Sequence, residues 1–336
     1  MTLPRAFHRY REETDKELAS IVGRSDLVLY DMMRYHLGWI DEAGRPVAVQ
    51  GGKLVRPTLC LLSCEAVGGD WHMALPAAAA VELVNSYSLI HDDIEDGDEK
   101  RRGRATVWRI WGQPQAINAG DTMHALAMLA ILSLEEKGVA PVKVVRAATI
   151  LDQAGIELCQ GQYLDISYED RFDINIDAYL QMADGKTAAL IACSLELGAL
   201  LGTEEQELLL RFHRLGRKLG LAYQMKNDVL GIWSSGSPAS DIKKKKKTLP
   251  VIYALERAKG KEREQLLRIY NKKTISSEDV DRAVQLLSHM GAKEYTEEMA
   301  RRYYREALAE LEEVNLPLPA KEELREVAAF VVEREY

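Results

Sequence analysis

Apolar residues recur along this chain at three- and four-residue spacing almost from end to end, and the alternation a strand needs is scarce. The spacing predicts a helix over 54–67, ended by Gly68-Gly69. An Ala-rich helix follows over 76–96, with Pro76 suited to a first-turn position. Further helical patterns cover 115–134, 142–165 and 186–201. Another covers 204–233 and stops at Ser234-Ser235-Gly236-Ser237-Pro238. Several more follow Thr248, the last over 321–335. No short-period repeat and no linker-like Gly/Ser/Pro stretch interrupts this order. The expected fold is all-α, a single domain over residues 1–336, with a site built from side chains that face the interior of a helix bundle.

Composition narrows what such a bundle can do. The chain has 336 residues, 47% of them hydrophobic, which is enough for a large core. Net charge is −8, and the only basic block is Lys243 to Lys247, so nucleic acid is not an expected partner. The first residues run into Glu12, Glu13 and Asp15 rather than an apolar stretch, which is not a secretory signal pattern. The longest apolar run, around 125–134, is too short to span a bilayer, and a cytoplasmic location is expected. Cys60, Cys64, Cys159 and Cys193 read as small hydrophobes in such a chain, not as metal ligands.

Candidate chemistry begins at Leu89-Ile90-His91-Asp92-Asp93-Ile94-Glu95-Asp96, where acid ends an otherwise apolar helix. Asp92 and Asp96 are four apart and share a helix face. Two carboxylates on one face repel unless a cation lies between them, and hard oxygens suit magnesium, which takes further ligands from phosphates. A solvated acidic helix end is the plainer reading of this cluster alone. Lys100-Arg101-Arg102-Gly103-Arg104 follows directly, however, and a guanidinium grips phosphate oxygens with two parallel hydrogen bonds. A second basic group, Gly51-Gly52-Lys53-Leu54-Val55-Arg56-Pro57, places two cations at a helix start behind glycines that let backbone approach an anion.

Taken together these segments resemble the trans-isoprenyl diphosphate synthases, the polyprenyl synthetase family, over nearly the whole chain from Gly51. The most specific parts are Gly52-Lys53-x-x-Arg56-Pro57 and His91-Asp92-Asp93-x-x-Asp96 followed by Arg101-Arg102-Gly103. Gly161-Gln162-x-x-Asp165, Lys186-Thr187, Gln224 and Asp241 through Lys246-Lys247-Thr248-Leu249-Pro250 extend the match. The resemblance implies an enzyme that condenses an allylic diphosphate with isopentenyl diphosphate, using Mg²⁺, three ions in all, and working as a homodimer. It implies a metal-facing set of Asp92, Asp93, Asp96, Asp165, Asn227 and Asp228. Arg101, Lys186 and Lys246 would bind the allylic diphosphate, and Lys53, Arg56, Arg102 and Asn85 the isopentenyl diphosphate. Thr187 and Gln224 would flank the reacting allyl carbons, where oxygen lone pairs stabilise positive charge. Tyr87 and Ser88, just before the acidic cluster, would form the floor that the growing tail meets, and they suggest a C20 product with C15 next.

Three positions depart from the family pattern. The second acidic motif reads Asn227-Asp228-Val229-Leu230-Gly231 where two aspartates and a third are usual, so Asn227 offers a neutral amide oxygen in place of a charged ligand. Asn85 stands where His or Gln is usual, and Ser237 where a diphosphate-binding lysine is usual. An Asn-Asp start also fits the second motif of class I terpene cyclases, although Gly231 and Ser235 break the rest of that pattern and Lys53, Arg56 and Arg102 speak for elongation. A third possibility is a non-catalytic regulatory subunit of a heteromeric prenyltransferase, which would lose metal ligands first. The intact first cluster speaks against it.

Overall fold

The structure, a computed structural model, describes residues 3–47, 52–234 and 239–333. Two helices precede the first one expected from the pattern, α1 (Arg5–Val22) and α2 (Val28–His36). Next come α3 (Val55–Ala66) and α4 (Leu75–Glu95), then a two-stranded antiparallel hairpin of β1 (Lys100–Arg101) and β2 (Arg104–Ala105). After α5 (Val107–Trp111) follow the long helices α6 (Gln113–Leu132) and α7 (Pro141–Tyr168). α8 (Ile176–Ala183) runs through a five-residue π-helical stretch, Asp184–Ala188, into α9 (Ala189–Gly202). The chain continues with α10 (Gln206–Trp233), α11 (Ser240–Lys243), α12 (Leu249–Arg257), α13 (Gly260–Tyr270), α14 (Ser277–His289), α15 (Ala292–Glu312) and α16 (Leu318–Glu333).

Local chemistry explains the starts. Proline sits in the first turn of α4, α6, α7 and α12, where its missing N–H costs nothing. Asn175 caps α8 by accepting from Ala178 N, and Ser276 with Asp279 forms a capping box at the start of α14. α9 is apolar on nearly every side and is buried accordingly, packed between α3, α7 and α10. Around it α4 lies on α6 and α15 on α10, so α4, α7, the π-stretch and α10 enclose one end of the bundle. That end carries the site.

One expectation needs correcting. Among the described residues three helical stretches, Trp71–Glu95, Gln113–Glu135 and Ile176–Gly202, are long and apolar enough by length and composition to cross a membrane. Single polar residues interrupt each, so no unbroken apolar run shows in the sequence, while Ala and Leu keep the mean hydropathy high. Their most apolar windows are 83%, 44% and 72% buried within the protein, so the first and third direct their side chains mainly into the bundle.

Candidate active site

The acidic end of α4 is closed by the hairpin that follows it. The chain turns at Gly97, in the left-handed region at φ 65°, and doubles back so that Arg101 reaches two of the three aspartates. Arg101 Nε donates to Asp93 Oδ1 at 2.8 Å, and Nη2 to Asp92 Oδ2 at 3.3 Å. Asp92 Oδ1 also accepts from Gln162 Nε2 at 3.1 Å and Lys186 Nζ at 3.3 Å. Lys186 donates to Asp165 Oδ2 at 2.5 Å as well, and Lys246 donates to Asp96 Oδ2 at 2.6 Å. Acid and base therefore alternate around one opening. Burial disfavours charge on Asp92, but Lys186, Lys246 and Arg101 outweigh it and hold its carboxyl below the usual range. Lys186 and Lys246 are likewise opposed by burial, yet the aspartates raise both above an ordinary lysine.

Lys186 owes its place to a close crossing. A Cβ on Gly161 of α7 would lie 2.0 Å from Lys186 N, so only glycine lets α7 touch the π-stretch there. That stretch is a local widening of the kind often found at functional sites. Next to Lys186, Thr187 Oγ1 donates to Gln224 Oε1 at 2.7 Å, and Gln224 Nε2 donates to Asp228 Oδ1 at 2.8 Å. Asp228 Oδ2 accepts from Tyr179 OH at 2.7 Å and from Leu249 N at 2.8 Å. With its proton committed to Gln224, the Thr187 oxygen keeps its lone pairs for whatever occupies the cavity. Burial pushes the Asp228 carboxyl up to about 7 despite these three donors.

Two adjoining cavities share these residues. The larger, about 550 Å³, is lined by Arg56, Asn85, Tyr87, Ser88, Asp92, Arg101, Arg102, Lys186, Thr187, Gln224 and Asn227, with Leu158 and Ile166 as apolar wall. The smaller, about 250 Å³, is lined by Asp92, Asp165, Asn227, Asp228, Asp241 and Lys246 among others. All but four of the residues expected from the sequence thus line one of these two cavities; Asp96 stands behind the wall of the smaller one, paired with its lining Lys246. Asp93 is 1% exposed and turned to Arg101 with its second oxygen unpartnered; burial pushes it up to about 6. It buttresses Arg101 and is not placed to face a metal. Lys53 lies over the Phe330 ring at 5.3 Å, away from the cavity wall. Ser237 lies outside the described residues.

The pocket for the second anion is built around two arginines. Arg56 has its Nε buried without a partner, a donor left for a ligand. Arg102 takes a left-handed φ of 52°, and Gly52 lies so near that a Cβ there would be 2.8 Å from Nη2. Asn85 Nδ2 meets the buried Glu82 Oε1 at 3.4 Å. At the opposite wall the Tyr87 ring rests edge-on against His124 at 5.0 Å and His91 at 5.9 Å. Its OH is 3.8 Å from Cys159 Sγ. Sequence reasoning missed Tyr179 and gave no separate role to Asp241 or to Lys244, which pairs with Asp98 and lies 3.8 Å from Asp96. Nothing local to Tyr179 marks it as other than a core aromatic.

No three His, Cys, Asp or Glu side chains among the described residues are gathered closely enough to hold a metal by themselves. The donor set nevertheless fits magnesium. Asp92 and Asp165 line the cavities and Asp96 lies just behind, all three hard oxygen donors neutralised by a lysine or arginine that an arriving phosphate could draw away. Such a site is completed by its anionic ligand.

Comparison with known proteins covers most of the chain. The family model described as Polyprenyl synthetase matches residues 38–287. The chain is 36% identical over 326 residues to the (2E,6E)-farnesyl diphosphate synthase of Mycobacterium tuberculosis, covering 95% of this chain and 89% of that one. Among solved structures it resembles a polyprenyl synthetase from Streptomyces coelicolor at TM-score 0.90 and 37% identity, covering 98% of this chain and 99% of that one. It also resembles the geranylgeranyl pyrophosphate synthetase of Pyrococcus horikoshii at TM-score 0.88 and 37% identity, with the same coverage.

Proposed function

We propose how the residues divide the work from one premise: the chain belongs to the polyprenyl synthetase family and is a trans-prenyltransferase that condenses isopentenyl diphosphate with an allylic diphosphate to give products in the C15–C20 range. The reading rests above all on the alternation of Asp92, Asp96 and Asp165 with Arg101, Lys186 and Lys246 around the two adjoining cavities. In it the three carboxylates hold Mg²⁺, three ions counting the face near Asn227 and Asp228, and the three cations hold the allylic diphosphate. Asp93 serves through Arg101. Magnesium supplies neutralisation of the diphosphate as its bond to the allylic carbon breaks.

Arg101, Lys186 and Lys246 exchange their aspartate partners for phosphate oxygens and so share the charge of the leaving group. Thr187 Oγ1, oriented by Gln224, faces the allylic cation with lone pairs. Arg56 and Arg102, with Asn85, fix the isopentenyl diphosphate so that its double bond points at the cation. Leu158, Ile166 and the Tyr87 ring keep water from a carbon it would trap. The final proton goes to the departing diphosphate, since no side chain at the reacting carbons is placed as a base. The tail runs toward Tyr87 and Ser88, and C20 is the main product.

The remaining expectations are proposals that the family assignment supports. The chain forms one domain over residues 1–336, works as a cytoplasmic homodimer, and keeps its apolar helices in the bundle and its dimer face. Relatives named as farnesyl and geranylgeranyl diphosphate synthases favour elongation over terpene cyclisation or a purely regulatory role. Purified protein with Mg²⁺, labelled isopentenyl diphosphate and dimethylallyl, geranyl or farnesyl diphosphate tests this. A C20 diphosphate is expected; a hydrocarbon product would reinstate the cyclase, and no turnover with any primer would sink the assignment.

A further inference from the structure

The π-helical stretch carries Lys186 and Thr187 into the wall of the larger cavity, and its register decides where they point. Such a stretch accommodates one residue more than the α-helix it interrupts, so reverting to α would rotate neighbouring side chains by about 100°. Backbone contacts hold it from two sides. A Cβ on Gly185 would lie 2.7 Å from Glu157 O of α7, and one on Gly220 of α10 would lie 2.4 Å from Ala188 Cα. Contacts of this kind set how close the elements lie, but they resist rotation weakly.

One side chain spans all three elements. Arg217 of α10 donates through Nη1 to Glu157 Oε2 of α7 and through Nη2 to Asp184 Oδ2, where the π-stretch begins, each at 2.5 Å. A forked guanidinium fixes direction as well as distance. Its partners lie in line with the site. Glu157, Gly161 and Asp165 recur every four residues on α7, and Lys186 and Thr187 closely follow Asp184. Burial pushes the Asp184 carboxyl up, and Arg217 opposes that. Arg217, Glu157 and Asp184 line neither cavity, so they reach the reaction only through the elements they join. The pair Lys186–Asp165 also ties the π-stretch to α7, but that is the tie an arriving metal diphosphate would break.

We propose that Arg217 is a positioning residue, whose bridge to Glu157 and Asp184 keeps the π-stretch in register on α7 while Lys186 leaves Asp165 for the diphosphate. The inference rests on the reading of Lys186 as a ligand of the allylic diphosphate. It divides two ion-pair groups between the same elements: one is exchanged for substrate, and the other endures the exchange.

Steady-state kinetics of the full chain, with each substrate varied in turn, separate this role from a merely structural one. Arg217→Met should raise KM for the allylic diphosphate about tenfold or more and lower kcat. KM for isopentenyl diphosphate should stay native, because Arg56 and Arg102 belong to α3 and the hairpin. Asp184→Asn should act in the same direction, and adding it to Arg217→Met should change little further, since both break one bridge. A folded Arg217→Met protein with native KM for the allylic diphosphate overturns the inference. An equal rise in both KM values, or effects of the two substitutions that simply add, also overturns it. Should Arg217→Met fail to fold, the two KM values of Asp184→Asn decide the matter. Native KM for the allylic diphosphate in Lys186→Ala would instead overturn the reading of the site.

Discussion

At the residue scale, a lysine and an aspartate that neutralise each other leave their pairing readily only when a ligand offers both charges together. Lys186 with Asp92 and Asp165, and Lys246 with Asp96, are such pairs, and a metal diphosphate is such a ligand. Asn227 is the neutral exception on the cavity wall. Asn227→Asp adds a carboxylate there and should lower the Mg²⁺ needed for half-maximal rate several-fold; an unaltered Mg²⁺ titration would show the amide to be functionally neutral. Tyr87 is held by rings rather than by the backbone, so Tyr87→Ala opens the floor without disturbing α4. Its products should extend beyond C20, and an unchanged chain-length distribution removes Tyr87 from that role. Asp228 carries a pH prediction. Its carboxyl is raised from 3.8 to about 7, so between those values the folded protein keeps a proton that the unfolded chain has lost. Stability from this group therefore falls as pH rises from about 4 to about 7 and is flat above. The difference in melting temperature between the native chain and Asp228→Asn should move in the variant's favour across that window. A difference independent of pH would show that Asp228 titrates normally.

At the scale of elements, the site depends on where helices touch. Gly161 brings α7 against the π-stretch, and the backbone at Lys186 rests directly on it. Gly161→Ala inserts a methyl group where no space exists, at a cost of about 1–3 kcal/mol. The melting temperature should drop and kcat should fall with it, because Lys186 is displaced from Asp92 and Asp165; retention of both values would refute the tight crossing. This element was partly legible in advance. Gly161-Gln162-x-x-Asp165 and Lys186-Thr187 stand out as motifs, but the helix was expected to begin at Lys186, whereas α8 already runs from Ile176. Gly185 lies just before that expected start, and the structure carries the helix through it as a π-helical widening. The hairpin was invisible because strands of two residues show no alternation. Site membership was readable from motif chemistry, while pairing was not: Lys246 meets Asp96 across 150 residues of chain, and Tyr179 meets Asp228 across 49. Periodicity reports which face of a helix is buried but not which helix it meets.

For the whole molecule, the apolar surface left uncovered is the feature that calls for a partner. On α6, Ile117, Leu129 and Leu132 are 45%, 49% and 48% exposed. On the neighbouring α7, Val142, Val145, Ile156, Tyr163 and Ile166 continue the apolar surface at three-, seven- and eleven-residue spacings. Contiguous apolar surface of this kind marks an association site more often than a solvated face. The Gln113–Glu135 stretch is 44% buried in its most apolar window, less than the two other membrane-like helices, and α6 carries part of this surface. A second copy is the occupant that fits, since a twofold interface sets the same patch against itself. Tyr163 and Ile166 belong both to this surface and to the wall of the 550 Å³ cavity, so pairing would close the side on which the cavity is open. Water exclusion would then depend on the dimer. Leu129→Glu with Val145→Glu should therefore yield a monomer by light scattering after size exclusion, with α-helical content retained. The monomer should also turn over more slowly and release more prenyl alcohol, the product of water capturing the allylic cation. A chain that is monomeric before substitution, or a dimer indifferent to both glutamates, places the interface elsewhere.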